Sequence, residues 1–398
     1  MKEQILKEHT FTRKQEIHYL AMVSLFWFAQ YVYIPYQTPF LTAAGAGSAF
    51  TGMVVGAYGI SQLILRFPIG LCADSVGRHK YFIMAGALAS GTASVFRVVW
   101  CNGPGFLVAN LFSGLASAMW ISFMVFYTSH FSVQDQQSAT SRIVLFNNFG
   151  MLLGFLCSAA SYRRLGMAGI CVLSVCAGLI AFLFSAGIKE TAVQPGIHKT
   201  RELLSVCKNK RLLMFSFIAL IQQGIQLTTA MSFTNQILKS LGASDGMVGI
   251  SSVIYMMSSV GFAAFAASGI CRGKGPRFWI PLVFAVVALY CVLVPAAGSI
   301  PVLLLLQILP GMSTGILFSF ATSEAMEEIP AQSRSTAMGL FQAVYAVGMT
   351  TFPVFTGALA TGRGIRAGYL LLAGIACLGG IGAVIFYKRK AAGHGAGS

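Results

Sequence analysis

Residues 66–80 read Arg66-Phe67-Pro68-Ile69-Gly70-Leu71-Cys72-Ala73-Asp74-Ser75-Val76-Gly77-Arg78-His79-Lys80, a short polar turn between two apolar runs, Ser48–Leu71 and Tyr81–Trp100. Each run reaches the length of about 20 residues that a helix needs to cross the hydrocarbon core of a bilayer. Within the turn, Gly70 lets another helix approach closely, Asp74 can cap or pair at a helix end, and Gly77 permits a tight bend. Arg78 and Lys80 anchor the turn at a membrane surface.

Outward from this turn the same alternation continues. Apolar runs occupy His18–Leu41, Phe106–Phe126, Ile143–Ser161 and Met167–Gly187, then Leu212–Phe233, Met247–Ile270, Phe278–Ala297, Val302–Ala325, Ala337–Leu359 and Tyr369–Tyr387. With the two beside the turn they make twelve predicted spans in two sets of six. Composition agrees: of 398 residues, 56% are apolar and only 10% charged, and the mean hydropathy is +0.74. A soluble domain carries roughly a quarter charged residues, so soluble enzymes, nucleic-acid-binding modules and secreted scaffolds are disfavoured. The chain reads as an all-α integral membrane protein.

The net charge of +16 follows from where the basic residues fall. Lys2, Lys7, Arg13, Lys14, Arg78, Lys80, Arg142, Arg272, Lys274, Arg277, Arg334, Lys388, Arg389 and Lys390 lie on one side, with six more in the polar stretch Lys189–Arg211. The opposite loops hold Arg163, Arg164, Lys239, Arg363 and Arg366. This bias places both termini in the cytoplasm of a multi-pass protein of the cell membrane. Residues 1–188 form a first six-helix bundle, 189–211 a cytoplasmic linker, and 212–398 a second bundle with a short tail. Arg97, near the outer end of the third span, is expected to snorkel to the interface. Met1–Glu16 lacks the short apolar stretch of a cleaved signal. Nine scattered cysteines with no CxxC spacing imply neither a metal site nor a disulfide framework.

The halves repeat weakly. Ser138–Asn147 opens the fifth span and Ser333–Gln342 the eleventh, both with Leu-Phe followed by a side-chain amide, a duplication familiar in transporters. The 66–80 turn resembles the Gly-x-x-x-Asp-x-x-Gly-Arg-x-Lys loop of the major facilitator superfamily. That resemblance implies two pseudo-symmetric six-helix bundles rocking about a central site. It implies a conformational role for Gly70, Asp74, Gly77, Arg78 and Lys80, with Asp74 and Arg78 helping to hold the outward-open state. The matching turn of the second half, Gly269–Arg277, keeps basic charge but has no acid. Two other family patterns fail. Asn110 stands four residues before Gly114 where proton-coupled members carry Arg, and the fifth span runs Gly150-Met-Leu-Leu-Gly154 without the Gly-Pro of drug antiporters.

Polar side chains inside spans face the bundle interior, because lipid exposure is costly. The candidate substrate cavity is therefore Trp27, Gln30, Tyr33 and Gln37 of the first span, Arg66 of the second, Trp120 of the fourth and Asn147 and Asn148 of the fifth. The second half adds Gln226, Gln342 and Tyr345. The competing reading of these amides is interhelical hydrogen bonding. Arg66 lies one turn before Gly70, as does the anion-binding Arg of superfamily nitrate porters, but Phe265 stands where their second Arg would be. Either Arg66 contacts an anion or it clamps a carbonyl.

Away from the cytoplasmic edges no acidic residue falls inside a span, and Glu324, near the inner end of the tenth, is the only acidic candidate for ion coupling. The leading expectation is a secondary transporter of a small organic solute, an anion if Arg66 binds it, working by alternating access. Multidrug efflux is the alternative, and a sensor or membrane-embedded enzyme the alternative from another class. The chain has no nucleophile–base pair, clustered metal ligands or ATP-binding loop, so no catalytic residue, metal or cofactor is expected. Its partners are a small-molecule substrate and the lipid bilayer, not nucleic acid, and it is expected to act as a monomer.

Overall fold

The computed structural model describes residues 11–76, 78–131, 136–188, 206–266, 268–329 and 334–395. Among these residues every regular element is helical, which is how a chain in lipid pairs its own backbone groups. Eleven helical stretches are long and apolar enough to span a membrane: Arg13–Ala43, Ser48–Gly70, Lys80–Val99, Gly103–Ser129, Ala139–Ala186, Lys210–Ser240, Asp245–Ala266, Gly273–Ala296, Ile300–Met326, Thr336–Arg363 and Ile365–Lys388. Ala139–Ala186 holds two helices joined at Gly166, whose φ of 65° suits glycine alone. It supplies the fifth and sixth spans, so all twelve expected runs are helical. Residues 189–205, most of the expected linker, lie outside the described residues.

Helix pairing repeats between the halves. The first span packs on the fifth, the third on the sixth and the second on the fourth. Correspondingly, the seventh packs on the eleventh, the ninth on the twelfth and the eighth on the tenth. Small residues make these approaches possible, since in lipid helices associate by close van der Waals contact. A Cβ on Gly178 would lie 2.3 Å from Gly91 Cα, and one on Gly348 would lie 2.2 Å from the Leu220 carbonyl oxygen. The result is two pseudo-symmetric six-helix bundles.

Interior breaks fall in the first, fourth, seventh and tenth spans. The first breaks at Val32–Tyr33 ahead of Pro35, and the fourth at Met119. The seventh and tenth carry π-helical turns at Thr229–Phe233 and Ser313–Leu317. Such breaks release backbone groups for contacts outside the helix. Pro39 has no N–H for the Pro35 carbonyl, which instead accepts from Asn235 Nδ2 of the seventh span at 3.0 Å.

The bundles meet along two seams, second against eleventh span and fifth against eighth. At the end away from the termini these seams are tight. A Cβ on Gly52 would lie 2.2 Å from the Pro353 oxygen, one on Gly56 2.5 Å from the Thr350 oxygen, and one on Gly357 2.3 Å from the Ser48 oxygen. Tyr36 donates to the Asp245 carbonyl at 2.6 Å, and the Ala49 N–H to Thr361 Oγ1 at 3.1 Å. The protein is closed at that end.

Candidate functional site

Three arginines of the spans are buried among the described residues; Arg211 is paired with carboxylates, and the surroundings of the other two, Arg97 and Arg66, differ sharply. Arg97 is 0% exposed rather than snorkelling. Its side chain points into the first bundle and donates to Ser94 Oγ at 2.9 Å, Asn110 Oδ1 at 2.7 Å and Ser113 Oγ at 2.8 Å. The Tyr33 ring covers the guanidinium at 3.6 Å, and a cation over an aromatic face gains most when desolvated. Asn110 reaches on to the Val54 carbonyl, and Ser94 to Ser174. This nest ties five spans together around a charge with no carboxylate partner among the described residues.

Arg66 is 3% exposed and lies at the seam. Its Nη1 donates to the Gln342 carbonyl of the eleventh span at 3.4 Å, near the long limit of a hydrogen bond. Its plane sits 4.8 Å from the Tyr345 ring centre, while Nε is buried without a partner. Gln62 Oε1, one turn away, and Gln342 Oε1 are likewise buried and unpartnered. Nε is unpartnered in both arginines, but Arg97 has three side-chain acceptors where Arg66 has one long bond to a carbonyl. Unmet buried groups of this kind cost about 1–3 kcal/mol each unless water or a ligand reaches them.

The remaining cavity candidates divide. Gln30 donates to the Ser113 carbonyl at 3.0 Å, and Tyr33 to Ser113 Oγ at 3.4 Å. The structure thus places both in the Arg97 nest within the first bundle. Trp27 packs edge-on against Trp120, ring centres 5.2 Å apart, with its indole N–H unpartnered. Gln37 is buried with its Oε1 unpartnered, and Asn147 and Asn148 are half-buried. Gln226 accepts from Gln222 at 2.9 Å, and Gln222 also reaches Thr314, which meets Tyr255 at 3.1 Å. Gln342 and Tyr345 join Arg66.

Sequence reading missed the Arg97 nest, although Ser94 three residues before Arg97 and Asn110 three before Ser113 share helix faces. It also missed Tyr58 paired with Ser117 at 2.5 Å.

In the 66–80 turn, Gly70 is buried but not at a close approach. The nearest atom to a Cβ there would be Ile121 Cδ1 at 3.9 Å. The helix approaches instead use Gly52, Gly56 and Gly59 of the same span. Arg78 is exposed, and Lys80 donates to the Ala186 carbonyl at 2.9 Å. Gly77 and the Asp74 side chain lie outside the described residues.

At the terminal end each bundle is stapled by charge. Glu16 accepts from Tyr127 at 2.6 Å and Arg142 at 2.7 Å. In the other half, Arg211 pairs with Glu324 at 2.8 Å, Glu328 at 3.1 Å and Glu327. Glu324, the acidic candidate for coupling, also accepts from Tyr387 at 3.1 Å, so its carboxylate is committed to this staple. Glu16 and Arg211 each open the leading span of their half, with opposite charge.

The family model described as Major Facilitator Superfamily matches residues 19–292 and 216–397. An uncharacterized MFS-type transporter of Methanocaldococcus jannaschii is 21% identical over 350 residues, covering 84% of this chain and 88% of the relative. The crystal structure of the nucleoside transporter NupG superposes with a TM-score of 0.72 at 16% identity, covering 95% of this chain and 100% of NupG. A point mutant of NupG gives the same score over 92% of this chain and 98% of its own. With paired six-helix bundles, a twice-matched family model and this shared architecture, the chain belongs to the major facilitator superfamily of membrane transporters.

Proposed function

We propose that this transporter carries a small organic anion by alternating access, with Arg66 as the group that meets the substrate's negative charge. The observation that carries the reading is the contrast between Arg66 and Arg97. Arg66 is desolvated at the seam between bundles with one long hydrogen bond to a carbonyl, where Arg97 has three side-chain acceptors. A carboxylate or phosphate matches its planar fork with two parallel bonds. No carboxylate pairs with Arg66 among the described residues, and its positive charge at the seam favours anions over lipophilic cations. NupG is named for nucleosides, and a nucleoside lacks the charge that Arg66 would select.

In this reading both termini are cytoplasmic, and the closed end faces the outside. The bundles 1–188 and 212–398 rock about the seams, joined by the 189–211 linker. Asp74 and Arg78 latch the outward-open state. The many side chains packed around Trp27 and Trp120 support a packing role for the first-span aromatics, against the efflux reading.

Ligand affinity of purified Arg66 variants, read beside their melting temperatures, tests the proposal. Arg66→Lys keeps the charge but loses the fork, and affinity for carboxylates or phosphate esters should fall about tenfold. Arg66→Gln should lower it about a hundredfold, the scale of a charge-assisted pair. Unchanged affinity with a lowered melting temperature would make Arg66 a carbonyl clamp instead.

A further inference from the structure

Arg66 does not stand alone where the second span meets the eleventh. Gln62 lies one turn before it, and Gln342 supplies the backbone carbonyl that takes its hydrogen bond. Both glutamines are buried, and the side-chain oxygen of each is unpartnered. The orientation of Gln62 is fixed, because its Nε2 donates to the Tyr58 carbonyl at 3.2 Å, a place where the amide oxygen would be repelled. Among the buried amide side chains of the described residues, every unpartnered atom is an oxygen and none is a nitrogen. An amide oxygen can only accept. The seam therefore offers one cation and, on each bundle, an acceptor that lacks a donor.

An anion without donors of its own would satisfy Arg66 and leave both amide oxygens unmet, which a buried acceptor resists. The substrate must therefore bring donors beside its charge, and hydroxyls suit the site better than an ammonium. An ammonium next to the anionic group would stand close to Arg66 with no counter-charge. Every carboxylate whose side chain is described is engaged elsewhere: Glu16 with Arg142, Asp245 with Lys239, and Glu324, Glu327 and Glu328 with Arg211. A hydroxyl donates without adding charge. We propose, on the anion reading of Arg66, that the transported substrate is a polyhydroxylated anion, a sugar acid or a sugar phosphate. Its hydroxyls nearest the charged group donate to Gln62 and Gln342. Arg66 then selects for charge, and the two glutamines select for hydroxyls.

Pairs of anions matched in length test it: gluconate against hexanoate, and sorbitol phosphate against hexyl phosphate. Each is titrated into the purified full-length protein, with thermal stabilisation as the readout of affinity. In the pair whose anionic group the site takes, the hydroxylated member should bind about thirtyfold more tightly, the scale of two buried acceptors left unmet. Norleucine, with an ammonium beside its carboxylate, should bind no better than hexanoate. Gln62→Met and Gln342→Met should each shrink the preference about fivefold by weakening the hydroxylated anion alone. Arg66→Gln should weaken both members of the pair. Deoxy anions that bind as tightly as their hydroxylated partners, with binding still lost in Arg66→Gln, would overturn the hydroxyl assignment and leave the anion reading standing. Methionine variants that weaken both members equally would also overturn it, making the amides structural. Stabilisation by none of these anions would overturn both readings.

Discussion

Arg97→Lys should cost roughly 3 kcal/mol or more of stability and lower the melting temperature more than Arg97→Met does. The lysine keeps a buried charge but has no planar fork to reach Ser94, Asn110 and Ser113 at once. It loses at least two bonds to a charged donor, each worth about 1.5–3 kcal/mol. Methionine loses the same bonds but also removes the charge, whose desolvation is itself expensive. Of the groups left behind, Ser94 keeps Ser174 and Ser113 keeps Tyr33, while Asn110 keeps its donor bond to the Val54 carbonyl and leaves one neutral acceptor unmet. Charge conservation should therefore be the worse choice. Thermal unfolding of the purified variants decides it, and a lysine variant as stable as the parent would show that the nest tolerates loss of the guanidinium plane.

Gly56→Leu should leave each bundle folded but prevent closure at the end away from the termini. A Cβ there would sit 2.5 Å from the Thr350 carbonyl oxygen and 3.0 Å from Val354 Cγ2. Backbone cannot yield as a flexible side chain can, so relief requires the second and eleventh spans to separate. A clash of about 3 kcal/mol shifts a two-state equilibrium more than a hundredfold. Spin labels at positions 44 and 362, in a background without native cysteines, should then report a longer distance than in the parent. Transport should fall by at least a hundredfold, because alternating access needs both states. An unchanged distance with normal transport would mean that this seam does not gate access.

The spans, their number and the turn between the second and third were legible because bilayer thickness fixes the length of an apolar run. The join between fifth and sixth spans was legible too, since Tyr162-Arg163-Arg164 interrupts the apolar run although the helices almost fuse at Gly166. Side-chain partnerships were not. Gln30 and Tyr33 share a helical face with Trp27, and that periodicity cannot tell a face turned to the cavity from one turned to the fourth span. Arg97 looked interfacial by its distance from the span end. A side chain on a helix tilts toward the N-terminus, which here carries the guanidinium inward to Asn110. Glycine identity was likewise readable without its consequence: Gly70 stood out in a motif, while Gly52, Gly56 and Gly59 make the close contacts. Glu324 showed its acidity in the sequence, but not that Arg211, 113 residues away, engages it.

The central claim, that the seam takes an organic anion through Arg66, is tested most directly by the substrate class that stabilises the purified protein. A bound ligand raises apparent stability by about 2.7 kcal/mol at a hundred times its dissociation constant. The panel should contain carboxylates and phosphate esters, neutral nucleosides, and lipophilic cations, each measured by thermal shift on the parent and on Arg66→Gln. The account predicts stabilisation of the parent by members of the anionic class, lost in Arg66→Gln. Stabilisation by lipophilic cations or nucleosides alone, equal in both proteins, would contradict it.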